Sequence, residues 1–336
     1  MVGVPGPVLE ADTRRTLERL HIGGVVLFRR NAANPAQIAA LTGALHALPS
    51  APLIAIDHEG GRVLRLSEPF TQFPAAAVVG RSGDFALAFQ IGQAMAEELS
   101  SAGIDLNFAP VLDVHSNPAN LIIGDRAFGS DPDLVSAMGI ALMRGLLAGG
   151  VIPCGKHFPG HGDTEKDSHV ELPIVRRSRA ELERTELAPF RAAIAARIPM
   201  LMTAHVLYPA LDADHPATVS PAILTNLLRT ELGFDGVTVS DDLEMRAISD
   251  RGDIGAAAVA SVAAGADALL VCQDLASAER AVQAIQDAVR EGVLDRGRIV
   301  AAADRVQRLR DCQPSRHAPA CALPNPAHRA LIARLG

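Results

Sequence analysis

The chain has 336 residues, 49% of them hydrophobic, and a formal net charge of −7 at pH 7. That length and apolar content support a large buried core, either as two small domains or as one large α/β domain. The acidic balance with scattered Lys and Arg argues against a nucleic-acid surface, and no window approaches the roughly 18 to 20 consecutive apolar residues that cross a bilayer.

The opening MVGVPGPVLEADTRR lacks a charged segment followed by an apolar run, so no signal peptide and a cytoplasmic location are expected. Cys154, Cys272, Cys312 and Cys321 have neither the CxxC spacing of a zinc site nor the density of a disulfide scaffold, which fits a reducing compartment. Cys154 and Cys272 lie in apolar runs and are expected to be buried, inert thiols. With no Trp and a single Tyr, a small polar ligand has to be held by hydrogen bonds and charge.

Short runs rich in Val, Ile and Leu predict strands at 1–4, 23–28, 52–57, 105–110, 151–158, 200–206, 236–240 and 266–272. Helices fall between them. Asn34 with Pro35 opens one whose apolar face is Ile38, Leu41, Leu45 and Leu48, and Asp131 with Pro132 opens another. Ser178 and Glu181 have capping-box spacing, and Pro189 is expected to split the 178–197 helix in two. Ser220 with Pro221 starts a helix that Gly233 ends, and a further helix covers about 296–311. A Pro-rich tail from 313 reads as loosely packed apart from a short terminal helix.

Eight strands alternating with helices define an α/β chain of the (β/α)8 TIM-type barrel class, a single catalytic domain over 1–311 with a C-terminal helical tail at 312–336. A doubly wound open sheet is the alternative, but no GxGxxG follows an early strand.

Catalytic residues of such a barrel close its strands, which singles out Asp57, Asp113, Lys156, His157, His205, Asp241 and Asp242. Taken singly, an Asp at a strand end can be only a helix cap and His205 only a satisfied core histidine. Their convergence from five strands on one face favours a shared site. The segment KHFPGHGDTEKDSH, 156–169, follows the fifth strand directly. His157, His161, Asp163 and His169 could ligate zinc or iron, although no HxH or HExxH occurs and Lys156 would put a cation inside the cage. A proton-transfer loop and a polar structural loop remain as the other readings.

IAIDHEGGRVLRL (54–66), NFAPVLDV (107–114), IGDRAFGSDP (123–132), GKHFPGHGDTEKDSHVELP (155–173), MTAHVLYP (202–209) and GFDGVTVSDDLEM (233–245) together resemble glycoside hydrolase family 3. They are most similar to its β-N-acetylglucosaminidase branch, of NagZ type. The resemblance implies retaining exo-hydrolysis through a covalent glycosyl-enzyme on Asp241, with Asp242 capping or orienting. It assigns acid/base transfer to His169, supported by Asp167; a histidine titrates near 6.5 and can both donate and accept a proton at neutral pH. Sugar binding falls on Asp57, Arg65, Arg126, Lys156, His157 and His205. His58 stands where the family often carries Gln.

By the same resemblance no cofactor or metal is expected. The partner is a small carbohydrate, a muropeptide or GlcNAc-containing disaccharide, with no nucleic acid or membrane, and the chain is expected to be a monomer. A β-glucosidase and a GlcNAc phosphorylase of the same family are alternatives, and a metal-dependent barrel hydrolase is a more distant one. Phosphorolysis enters because a neutral imidazole does not repel an anionic acceptor as a carboxylate would.

Overall fold

The computed structural model describes residues 1–164, 172–250, 252–311 and 321–335. Eight parallel strands form one sheet in sequential order: β1 Val2–Gly3, β2 Gly24–Leu27, β3 Leu53–Ile56, β4 Leu106–Asn107, β5 Ile152–Phe158, β6 Met200–Thr203, β7 Val237–Asp242 and β8 Ala268–Leu270. A parallel bridge between Val2 and Val271 brings the last strand back to the first. All eight lie within the runs predicted from sequence, except that β7 runs two residues further, through Asp242.

Alternation along the strands builds two layers of core. Val26, Leu53, Ala55, Leu106, Phe108, Ile152, Cys154, Met200, Met202, Val237, Val239, Leu270 and Cys272 cluster together as the barrel interior. Their neighbours Val25, Leu27, Ile54 and Ile56 pack outward against helices. Both faces are apolar because both are covered, which is why these strands read as continuous hydrophobic runs.

The surrounding helices are α1 Ala11–Arg19, α2 Pro35–His46, α3 Ala76–Ser82, α4 Phe85–Ser101, α5 Pro132–Ala148, α6 Arg179–Arg184, α7 Leu187–Ala195, α8 Arg246–Ser249, α9 Ile254–Ala264, α10 Leu275–Arg290, α11 Arg296–Asp311 and α12 Pro326–Ala333. Asn34 accepts from the Gln37 N–H and Asp131 from the Asp133 N–H, so both side-chain caps form. Ser178 and Glu181 make the reciprocal capping box of α6. A wider, π-type helix spans Ala222–Glu231, with Ser220 Oγ accepting the Ile223 N–H and Gly233 left-handed just past its end.

The 178–197 segment splits at Thr185 and Glu186 rather than at the proline itself. A proline ring collides with the carbonyl four residues earlier, and four residues before Pro189 is Thr185. The terminal helix α12 lies on α4, where His328 reaches Glu98 at 2.8 Å and Glu97 at 3.1 Å. No helix among the described residues is long and apolar enough to cross a membrane.

Candidate active site

A cavity of about 510 Å³ opens at the C-terminal ends of the strands. Strand parity determines which side chains reach it. Asp57, Lys156 and Asp241 follow Ala55, Cys154 and Val239 by two residues and so rise on the interior face one layer above them.

The deep wall is a fully crossed charge network. Lys156 is 2% exposed and lies 2.6 Å from Asp57 and 2.5 Å from Glu59. Arg126 grips both oxygens of Glu59 at 2.8 Å, in the bidentate geometry that a planar guanidinium favours. Arg65 reaches Asp57 at 3.5 Å. Burial would neutralise Glu59, but the charges of Arg126 and Lys156 outweigh it and hold the carboxyl well below its ordinary range. Burial likewise works against the Lys156 cation, and Asp57 and Glu59 overcome it, so its pKa rises.

Asp113, fully buried just past β4, organises the start of the β5 loop. Its Oδ2 takes the Nδ1–H of His157 at 2.7 Å, and its Oδ1 accepts the backbone N–H groups of His157 at 3.1 Å and His161 at 2.7 Å. With Nδ1 committed to Asp113, His157 offers Nε2 toward Arg126, 3.5 Å away. The His161 ring packs edge-on against His157. Burial pushes the His161 pKa down to about 4, so the ring is neutral at neutral pH. Gly162 follows because a Cβ there would sit 1.6 Å from the Val114 carbonyl oxygen. Gly160 adopts φ +133, which a side chain disfavours.

At the end of β7, Asp241 and Asp242 diverge. Burial raises the Asp241 pKa, but His205, His157, the Asp242 N–H and Lys156 together hold it below the ordinary value, so it stands ionised. Asp242 is turned to the backbone, its Oδ1 accepting the N–H groups of Glu244 and Cys272 at 3.2 and 3.3 Å, and burial raises its pKa to about 7. His205 is buried beside this pair. Its Nδ1 meets Thr218 Oγ1 at 2.7 Å and its Nε2–H donates to the Asp242 carbonyl at 2.9 Å.

Of the residues assigned from sequence, Asp57, Arg65, Arg126, Lys156, His157 and Asp241 therefore meet in one cavity. His205 does not line that cavity; it is buried and supports the Asp242 backbone carbonyl. Asp167 and His169 lie outside the described residues. Among the residues of the metal reading, Asp113 engages His157, Thr164 meets His161 Nδ1 at 2.8 Å, and Asp163 pairs with Arg177 at 2.9 Å. No cluster of metal-ligating side chains forms among the described residues.

Sequence reasoning missed Glu59. The signal was a charge count: three cations assigned to the pocket wall, Arg65, Arg126 and Lys156, had only Asp57 beside them once Asp241 is reserved for chemistry. The tautomer-setting role of Asp113 was also missed, although the residue itself had been singled out.

An eight-stranded parallel barrel whose C-terminal mouth is lined by buried carboxylates, cations and histidines is an enzyme scaffold suited to a small polar ligand. The glycosyl hydrolase family 3 N-terminal domain matches residues 2–309, and the chain belongs to that family. It is 44% identical over 281 residues to a beta-hexosaminidase of Thiobacillus denitrificans, covering 81% of this chain and 77% of the relative. Among solved structures it is similar to a family 3 beta-N-acetylglucosaminidase from Paenibacillus, at 40% identity and TM-score 0.95. That alignment covers all of this chain but 66% of the longer Paenibacillus chain. NagZ from Neisseria gonorrhoeae, solved with N-trifluoroacetyl-D-glucosamine, is 36% identical with TM-score 0.83, covering 100% of this chain and 96% of that one.

Proposed function

We propose that the chain is a retaining exo-β-N-acetylglucosaminidase that removes terminal GlcNAc from cell-wall fragments through a covalent intermediate on Asp241. The observation that carries this reading is an ionised carboxylate at the end of β7, facing a cavity whose opposite wall is a network of paired charges. Asp241 attacks the anomeric carbon as the glycosidic C–O bond breaks. The departing oxygen takes a proton from His169, which Asp167 supports. Water, deprotonated by His169, then attacks the anomeric carbon and releases Asp241.

Asp57, Arg65, Arg126, Lys156 and His157 hold the sugar hydroxyls by charge-assisted hydrogen bonds. Glu59 keeps Arg126 and Lys156 in place without competing for the sugar. The one Tyr has no part in this pocket, since Tyr208 is buried with its hydroxyl donating to the Gly160 carbonyl at 2.6 Å. The names of the hexosaminidase relatives and the amino-sugar ligand of the Neisseria enzyme support the substrate class.

The test is nitrophenol release from 4-nitrophenyl β-N-acetylglucosaminide in EDTA, for wild type beside Asp241→Asn. Turnover by the wild type and a loss of about three orders of magnitude or more in the variant are expected. Activity that requires added zinc would overturn the mechanism, and activity confined to the β-glucoside would overturn the substrate. Repeating the assay in phosphate buffer decides the acceptor, because glycosyl phosphate forms only if phosphate replaces water.

A further inference from the structure

The cations of the cavity divide into two groups. Arg65, Arg126 and Lys156 are each paired with Asp57 or Glu59. Arg246, the first residue of α8, also lines the cavity, is exposed, and has no ion pair or side-chain hydrogen bond among the described residues. The two carboxylates nearest before it in the chain are committed elsewhere, and Asp250, one helical turn after it, is exposed and makes no ion pair with it among the described residues. Glu244 accepts the backbone N–H groups of Gln273 at 2.6 Å and Asp274 at 3.4 Å, while Asp242 accepts those of Glu244 and Cys272.

Exposure also orders the cavity by depth. Lys156 and Glu59 are 2% and 4% exposed at its floor, whereas Arg246 and Gln273 are open to solvent at its mouth. A terminal sugar bound to the floor, with its anomeric carbon at Asp241, directs its leaving group outward to the mouth that Arg246 and Gln273 help to line.

We infer that Arg246 forms an aglycone subsite for an anionic leaving group, so that the enzyme prefers glycosides whose aglycone carries a carboxylate. This rests on the hexosaminidase reading above. A guanidinium recognises a carboxylate through two parallel N–H donors, and at a solvated mouth the attraction is modest and sensitive to salt.

The experiment compares kcat/KM for the 3-carboxyphenyl and 3-carbamoylphenyl β-N-acetylglucosaminides, which differ chiefly in the charge of the aglycone. Wild type, Arg246→Ala and Arg246→Glu are assayed at low and high ionic strength, and the ratio between the two substrates is read so that any general loss cancels. A wild-type ratio of about fivefold in favour of the carboxylate is expected at low salt, shrinking at high salt. The ratio falls toward one in Arg246→Ala and inverts in Arg246→Glu. Equal ratios in all three proteins, with both glycosides cleaved, overturn the subsite and leave the hexosaminidase reading intact. Failure of the wild type to cleave either glycoside overturns both.

Discussion

Asp241 and Asp242 are neighbours in the chain, yet their environments drive their pKa values apart. Asp241 sits among His205, His157 and Lys156 and stays an anion. Asp242 meets mainly burial and the like charges of Glu244 and Asp241, which raise it from 3.8 to about 7. A carboxyl whose folded pKa is raised contributes stability that is present below its unfolded value and is lost as pH climbs through the folded one. Asp242→Asn, neutral at every pH and still able to accept the two backbone N–H groups, should therefore gain stability relative to wild type as pH rises from about 4 to above 7. Urea midpoints measured across that range check this, and parallel curves would contradict it. Asp57, Lys156 and Asp241 were legible in the sequence because each continues the alternation of its strand. The same alternation gives His205 the parity of Thr203, opposite to the interior Met200 and Met202, and both side chains meet Thr218 instead of the cavity.

Loops rather than strands carry Arg126, and what fixes it is a second arginine. Arg62, on the β3 loop, donates from Nη2 to the carbonyls of Leu121, Ile122 and Ile123 at 2.8, 2.6 and 3.2 Å, and from Nε to Asp125 at 2.8 Å. Arg126 reaches back from that segment to Glu59 on the β3 loop, so two arginines clamp the same pair of loops in opposite directions. Arg62→Ala should lower kcat/KM by about ten- to a hundredfold, chiefly through KM, because a displaced Arg126 loosens ground-state sugar binding. Arg62→Lys should fail to restore it, since a single ammonium cannot reproduce the fork of donors. Recovery by lysine, or an unchanged KM, would show that the clamp does not position Arg126. None of this was legible beforehand: three of the four acceptors of Arg62 are backbone carbonyls, to which a sequence gives no address. Helix starts were legible because their caps are local chemistry, as at Asn34, Asp131 and Ser178.

At the scale of the whole molecule, one buried carboxylate ties two of the surrounding helices to the barrel. Asp267, just before β8, is fully buried and receives Arg229 from the π-type helix, Arg298 at 3.1 Å and Arg305 at 3.3 Å from α11. Burial and the neighbouring arginines depress Arg229 to about 10, so the cluster depends on its buried central anion, with the exposed Asp235 adding a 3.7 Å contact to Arg305. Asp267→Asn should cost about 3 to 5 kcal/mol, read as a lower urea midpoint at unchanged slope. A loss below about 1 kcal/mol would mean that α11 is held by its apolar face instead. The barrel class followed from eight apolar runs at barrel spacing, whereas Asp267 fell inside the 266–272 run with no sign of its role, because its three arginine partners lie 31 to 38 residues away. The central claim is that Asp241 becomes glycosylated. The most direct measurement is mass spectrometry of the protein incubated with an activated 5-fluoro-N-acetylglucosaminyl donor, which slows release of the glycosyl-enzyme. The account predicts one added sugar on the peptide containing Asp241, and an adduct on another residue, or none while the donor is still consumed, would contradict it.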